Sequence, residues 1–550
     1  MSLTLVKGSG TAIDFEALQA LIVDTYPGMR NALKLTLSNL GVSRIDLATN
    51  AAEALSRVRN HRYDLILSDF NLGEGQDGQQ LLEALRHRKL ISLRTAFVLV
   101  TAEAGYEKVV ATAELAPDDY LVKPFSAELI RSRLQGILLR KFIFSKVHWH
   151  FERHELEAAV AGCDEIIRQN PRFLVDALRF KGEVLNALGR FDEAETLYRK
   201  IIEMRAIPWA RLGLAKALHN LQKDEEAEVL LQGILEHFPE MVAAYDLLAD
   251  VCMARKDLAG AQMALQQGAA ISAKTVRRQQ RLGETAFENG DLAVARVAYG
   301  TVVEKGGNSI FVTPEDYGHL ARIQIEQGDA NGALETVQKF GTLLLGSPEG
   351  RLVSAVVRGL AHARLGHVDE ASKAVEEAAD LSRTGVRAGG HFMLDFVAAC
   401  LATGHQEQAD AITREVVRNA HDSEALLARA QALYDKAGCG ADGARLVKDA
   451  AAGIRRLDNE AVIQAHKGNY ARAMEMLQEA CWQAPGNPRV LMNTVWVMLK
   501  HLEQAGMDTE ILEQARAFLR DADQQAPGHA RLASLRAQLR AVEVRYGRNR

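Results

Sequence analysis

From residue 159 to residue 409 an alanine recurs at nearly constant spacing. The positions are Ala159, Ala194, Ala227, Ala261, Ala295, Ala333, Ala371 and Ala409, at intervals of 35, 33, 34, 34, 38, 38 and 38 residues. An acidic or polar pair leads into most of them, as in Leu-Gly-Arg-Phe-Asp-Glu-Ala (Leu188 to Ala194). A period of this length marks an array of supersecondary units, each burying its apolar face against its neighbours. Within one period, helical spacing of apolar residues runs from Arg179 to Leu188 and again from Asp192 to Glu203, with a turn at Gly189-Arg190-Phe191. Pro171, Pro239, Pro485 and Pro527 stand twelve residues after Ala159, Ala227, Ala473 and Ala515, and Pro208 falls slightly late after Ala194. Proline there ends one hairpin and opens the next. Ala473 and Ala515 extend the pattern at longer intervals. Between His421 and Asn469 the frame slips, and Ala437 to Gly443 reads as a loop inserted in an irregular hairpin.

Gly182 and Gly283 in the first helix of a pair, and Tyr198 and Tyr299 in the second, let paired helices approach closely. With Leu188 to Ala194 these features resemble tetratricopeptide repeats, most strongly from Arg153 to Phe340. The resemblance implies an all-α superhelical solenoid whose groove takes a protein partner.

The first quarter of the chain follows another rule. Short apolar runs at Ala20 to Asp24, Arg44 to Ala48, Asp64 to Asp69, Ala96 to Val100 and Asp119 to Val122 alternate with segments of helical spacing, such as Met29, Leu33, Leu37 and Leu40. A further helix is expected at about Tyr106 to Leu115. This alternation predicts an α/β doubly wound, five-stranded parallel sheet, with the carboxyl ends of its strands on one edge. Asp24, Asp69, Thr101 and Lys123 stand at those ends. Phosphoryl transfer to a carboxylate needs an acceptor, a divalent cation and donors aimed at the phosphoryl oxygens, so the layout reads as a phosphate-accepting site.

Leu21 to Thr25, Leu67 to Leu72, Val100 to Glu103 and Tyr120 to Phe125, each at a strand end, resemble the flavodoxin-like receiver domain of two-component response regulators. The resemblance covers Leu18 to Arg140. It implies that Asp69 is the phosphoacceptor and that Asp24, Asp69 and the main-chain carbonyl of Asn71 hold Mg2+. It further implies that Lys123 and Thr101 contact the phosphoryl group, with room left by Ala102, and that Tyr120 swings inward as Thr101 moves. At Thr25 the sequence departs from the family, which has a second acidic residue there. A hydroxyl is a poorer ligand than a carboxylate for a hard cation, so Mg2+ affinity is expected to be weakened.

At 550 residues, 48% apolar and 25% charged, the chain suits several soluble domains. Its net charge of −5 gives no reason to expect nucleic acid or membrane partners. Five scattered cysteines without a secretion signal fit a cytoplasmic protein. The expected division is a flexible tail at 1–17, a receiver at 18–140, a linker helix at 141–152, the repeat array at 153–420, an irregular helical segment at 421–469 and repeat-like helices at 470–550. Leu138 to Phe151 contains no glycine or proline, so the last receiver helix is expected to run straight into the array as a stiff joint. The alternative is that Phe142, Phe144 and Trp149 simply pack the first repeat. His148, His150 and His154 have spacings a metal could use, but no cysteine joins them and structural roles are expected. Arg277-Arg278 and Arg455-Arg456 read as solvated helix faces.

No enzyme motif appears, so the expectation is a signalling adaptor whose only chemistry is uptake and hydrolysis of its own phosphoryl group. A sensor histidine kinase or phosphotransfer protein would supply that group, and phosphorylation would gate partner binding in the groove. Homodimerisation through the receiver is compatible with this reading. The alternative is a constitutive scaffold whose degenerate receiver docks on a kinase or another regulator without phosphotransfer.

Overall fold

The computed structural model describes residues 3–5, 11–73, 75–102, 117–205, 207–273, 275–306, 309–526 and 529–547. Glu103, the helix expected at about Tyr106 to Leu115, and Pro527 lie outside the described residues. The chain divides into two compact units, one of Met1–Gly290 with Thr301–Val312 and one of Asp291–Gly300 with Thr313–Arg550.

The segment expected to be a flexible tail contains two strands, β1 (Leu3–Leu5) and β2 (Thr11–Ile13), paired antiparallel in the register Leu3 to Ile13. Pairing satisfies backbone donors and acceptors that a free tail would leave to water. Five further strands follow: β3 (Gln19–Val23), β4 (Arg44–Ala48), β5 (Leu65–Asp69), β6 (Ala96–Thr101) and β7 (Asp119–Val122). They form one parallel sheet in the order β4-β3-β5-β6-β7. Their near-continuous apolar runs are what a parallel sheet covered on both faces requires. Leu21, Val23, Ile66, Phe97 and Leu99 pack into one apolar layer, and Ala20, Ile22, Leu65, Leu67, Val98 and Val100 into the other. The first layer includes residues of α2 (Ala51–Asn60) and α3 (Gly78–His87). The second takes residues of α1 (Pro27–Asn39) and of the Ala127–Ile143 helix.

The expected continuous helix through the joint is interrupted. Ala127–Ile143 stops, Phe144 sits at φ −84° and ψ −1°, and Ser145–Glu152 begins, with His148 N–H donating to the Phe144 carbonyl at 2.8 Å. The break coincides with burial of the Phe144 ring against Phe173 and Phe180, each with ring centroids 6.4 Å away. Phe151 joins Phe180 at 5.3 Å. Phe144 therefore packs the first repeat, as the alternative reading had it for this residue, whereas Trp149 is exposed and lies against His150 and Arg153. The neighbouring histidines have structural partners: His148 lies against Phe144 and Phe180, and His150 Nδ1 lies 2.7 Å from Glu155 Oε2.

Polar contacts tie the receiver to this joint. The Lys141 ammonium lies 2.7 Å from Asp118 Oδ1 and donates to the Leu93 carbonyl at 2.7 Å. Glu152 accepts from Ser92 Oγ at 2.9 Å and from Leu93 N–H. A second contact comes from later in the chain. Phe311 packs against His87, the last residue of α3, with ring centroids 5.1 Å apart, and carries the Arg277 guanidinium 4.4 Å from its ring centre.

In the repeats all ten periodic alanines are fully buried. From Ala159 to Ala473 each is the fourth residue of its helix, as in Leu156–Gln169, Phe191–Met204 and Tyr470–Gln483. Five residues before each of these stands a residue with positive φ: His154, Gly189, Gln222, Lys256, Gly290, Gly328, Gly366, Gly404 and Gly468. Each hairpin thus turns through one left-handed residue, which favours glycine because the position crowds a Cβ. The aromatic position is equally constrained: a Cβ on Gly182 would lie 2.4 Å from the Tyr198 hydroxyl oxygen and one on Gly213 2.4 Å from its Cζ, so the tyrosine sits between two close helices.

The frame does not slip at 421–469. Gly438 has φ +80°, and five residues later Gly443 is the fourth residue of a 27-residue helix, Gly440–His466. Gly443 therefore takes the alanine position, 34 residues after Ala409. A Cβ there would lie 2.3 Å from that of Tyr434, whose buried hydroxyl donates to Asp410 Oδ1 at 2.8 Å. Further along the same helix, Ile454, Ala461 and Ala465 share a core with Ala473 and Leu477. The second helix of this hairpin is thus fused to the first helix of the next. The expected inserted loop is a tight turn at Gly438.

Candidate phosphoacceptor site

Parallel registers set the level of each functional residue. Val23 pairs with Ser68, so Asp24 and Asp69 leave β3 and β5 side by side, while Thr101 pairs with Val122 and puts Lys123 one step beyond. Lys123 N–H donates to the Thr101 carbonyl at 2.7 Å. The turn after β3 is built on Asp24: Tyr26 N–H donates to its Oδ1 at 2.7 Å, and Arg30 donates to the carbonyls of Asp24 and Thr25 at 2.6 and 2.9 Å. Behind Asp69, Gly78 lets α3 approach closely, because a Cβ there would stand 2.3 Å from the Asp69 carbonyl oxygen. Asp77 caps α3 with a reciprocal pair of hydrogen bonds to Gln80, at 2.8 and 3.1 Å.

The Lys123 ammonium bridges the two carboxylates, 2.9 Å from Asp69 Oδ2 and 3.3 Å from Asp24 Oδ2. Asp24 is 1% exposed. Burial raises its pKa, and the charge of Asp69 adds to this, outweighing the Tyr26 N–H and Lys123. Burial pulls Lys123 the other way, but its hydrogen bond and charge attraction to Asp69, with Asp24, hold its pKa above the usual value. Two carboxylates facing one ammonium leave a net negative charge. That donor set of hard oxygens fits a divalent cation such as Mg2+.

Asp24, Asp69 and Lys123 are in direct contact, and Thr101 is buried at the adjoining strand end. Tyr120 is buried in the apolar layer of Phe97 and Leu99. Asn71 is exposed and its side-chain oxygen accepts from Gly73 N–H at 3.1 Å. Thr25 is exposed, with its methyl 3.4 Å from where a Gly73 Cβ would stand. Sequence reasoning missed Arg30 and Gly78, which position the site without entering it. Only the Gly at the start of an apolar helix, nine residues after Asp69, offered a signal.

Comparison with known proteins follows this geometry. Residues 20–135 match the family model described as response regulator receiver domain, and residues 185–251 match that described as tetratricopeptide repeat. Over 123 residues the chain is 29% identical to chemotaxis protein CheY of Pseudomonas aeruginosa, covering 22% of this chain and 98% of that one. It is also 29% identical over 123 residues to chemotaxis protein CheY-3 of Vibrio cholerae, covering 22% and 93%. Among solved structures it is similar to the chemotaxis response regulator CheY4 of Vibrio cholerae, with 28% identity, 22% of this chain and 98% of that chain covered, and a TM-score of 0.20.

Proposed function

We propose that this chain, a receiver domain homologous to CheY-type response regulators followed by tetratricopeptide repeats, is a phosphorylation-gated adaptor of a two-component system. The observation that carries the reading is the bridging of Asp24 and Asp69 by Lys123 at the carboxyl edge of the sheet. An Asp69 carboxylate oxygen attacks the phosphorus of a phosphorylated histidine on a sensor kinase or phosphotransfer protein. The phosphorus–nitrogen bond breaks and its electron pair returns to the imidazole. The Lys123 ammonium exchanges its ion pair with Asp69 for one with a phosphoryl oxygen, and the Thr101 hydroxyl donates a hydrogen bond to another. The carboxylates of Asp24 and Asp69 and the Asn71 carbonyl would hold Mg2+, with affinity weakened by Thr25, and the ion would supply charge neutralisation when bound. Hydrolysis of the acyl phosphate on Asp69 is the only further chemistry proposed.

Coupling to the repeats is supported by α3, which starts against the Asp69 carbonyl at Gly78 and ends on Phe311 at His87. A phosphoryl group adds about −1.5 to −2 charges beside this helix and shifts the population of a two-state receiver. The repeats then present a changed groove to a protein partner. The proposal places the protein in the cytoplasm. No helix among the described residues is long and apolar enough to cross a membrane. A scaffold without phosphotransfer remains the second reading, favoured by Thr25 alone.

The test is acetyl phosphate with Mg2+ followed by intact-mass spectrometry, expected to add one phosphoryl group to the wild type and none to Asp69→Asn. Hydrogen exchange with beryllofluoride is expected to change at Phe144 to Phe180 and around Phe311. Identical masses for both proteins would leave the scaffold.

A further inference from the structure

Across the turn of three hairpins a histidine meets the residue five positions further on. In the first, His150 Nδ1 lies 2.7 Å from Glu155 Oε2, and in another His219 Nδ1 lies 2.6 Å from Asp224 Oδ1. Each of these imidazoles faces a carboxylate. In the hairpin of Pro348–Leu365 and Val368–Arg383 the partner is a second imidazole: His362 Nδ1 and His367 Nδ1 stand 3.4 Å apart.

The turn fixes this meeting. Gly366 closes the first helix at φ +78°, His367 N–H donates to the His362 carbonyl at 2.9 Å, and the second helix begins directly after His367. Backbone hydrogen bonding thus ties together the same two residues whose rings face each other. The rings are inclined at 40° with centroids 5.6 Å apart, so they do not stack. Their nitrogens are further apart than in an ordinary hydrogen bond from a ring N–H, about 2.7 to 3.2 Å. They match the span across a tetrahedral zinc ion, where two Zn–N bonds of about 2.0 to 2.1 Å set the nitrogens about 3.3 to 3.4 Å apart. Glu370 stands three residues after His367, where a glutamate side chain reaches back toward the start of its helix, and its charge acts on His362. His367 and Glu370 are exposed and His362 is half-buried, so an ion can enter from solvent.

We infer that His362 and His367 form a binding site for a zinc ion, each ligating through Nδ1, with Glu370 as third ligand and water completing the tetrahedron. Imidazole suits this borderline cation, and the carboxylate adds the negative charge that two neutral rings lack. The ion would staple the turn between the two helices. Its donor set differs from that of Asp24 and Asp69, whose oxygens suit Mg2+. The next hairpin supplies a contrast: His405 follows the left-handed Gly404 as His367 follows Gly366, but its Nδ1 faces the Thr403 hydroxyl at 2.8 Å.

The test is calorimetric titration of the tag-free full-length chain with Zn2+, in excess Mg2+ to keep zinc from the Asp24 and Asp69 carboxylates. At micromolar concentrations the wild type is expected to take up one equivalent of Zn2+ more than His362→Gln or His367→Gln. Glu370→Gln is expected to bind that equivalent about three- to tenfold more weakly. Modification by diethyl pyrocarbonate, located by peptide mass spectrometry, is expected to be blocked by Zn2+ at His362 and His367 and to continue at His405. Circular dichroism checks that the variants keep their helicity; should His362→Gln lose it, the exposed His367→Gln carries the comparison. Equal uptake by the wild type and both histidine variants, or modification of both histidines undiminished by Zn2+, would overturn the site. Uptake that needs millimolar Zn2+ would make the pair an ordinary surface contact and overturn it too. Equal affinity in Glu370→Gln would overturn the third ligand.

Discussion

Lys141 and Asp118 meet at 2.7 Å at the root of β7, where Asp118 also accepts from Phe97 N–H at 2.9 Å. Arg86 of α3 and Arg140 lie 4.0 and 3.9 Å from the same carboxylate, and Arg140 reaches Asp176 of the first repeat at 3.7 Å. One half-buried carboxylate thus joins the sheet, α3 and the helix that leads into the array.

Removing the ammonium from this node leaves Asp118 with two longer contacts. Lys141→Met is expected to cost about 1 to 3 kcal/mol, because breaking a largely buried pair leaves the half-buried Asp118 charge poorly compensated. Urea unfolding gives the number. Hydrogen exchange should show faster opening at Leu93 and in Ser145–Glu152, and unchanged exchange there would mean that the node does not hold the joint.

Thr25→Asp restores a carboxylate beside Asp24 on the exposed side of the site. Mg2+ affinity is expected to rise about tenfold, since a hard cation gains a charged oxygen in place of a hydroxyl. Calorimetric titration measures it. Equal affinity in both proteins would show that position 25 does not face the cation.

Gly443→Ala gives this repeat the residue that every other periodic position carries, yet it is expected to destabilise by about 1 to 3 kcal/mol through overpacking against Tyr434. The comparison substitution Ala473→Gly should cost about 1 kcal/mol through helix propensity. A neutral Gly443→Ala in denaturant unfolding would contradict the close approach.

Burial pushes the His148 imidazole down to about 3, and the charges of Lys141, Arg86 and Arg140 add to this. The unfolded chain therefore takes up the proton first, near the ordinary value of 6.5. The stability held above that pH is lost as pH falls toward the folded value, with a limiting slope of about 1.4 kcal/mol per pH unit. His148→Phe keeps a ring against Phe144 and Phe180 and removes the titration. Its stability is expected to fall less steeply than wild type below about pH 6. Parallel curves from unfolding at several pH values would assign the loss elsewhere.

Both halves of the fold were legible because their signals are local and repeated. Buried strands read as apolar runs ending in Asp24, Asp69, Thr101 and Lys123, and a hairpin array imposes its period on alanines that must all be buried. What only the tertiary structure decided involves residues distant in sequence. Lys123 meets Asp24 across 99 positions because parallel registers bring the strand ends level. Gly443 hid a repeat because its size is set by Tyr434, not by its neighbours in the chain. The left-handed turn went unseen where His154, Gln222 and Lys256 occupy it, since backbone conformation there is imposed by packing of the helices on either side. The break at Phe144 likewise depends on which surfaces the folded helices bring together, which no periodicity records.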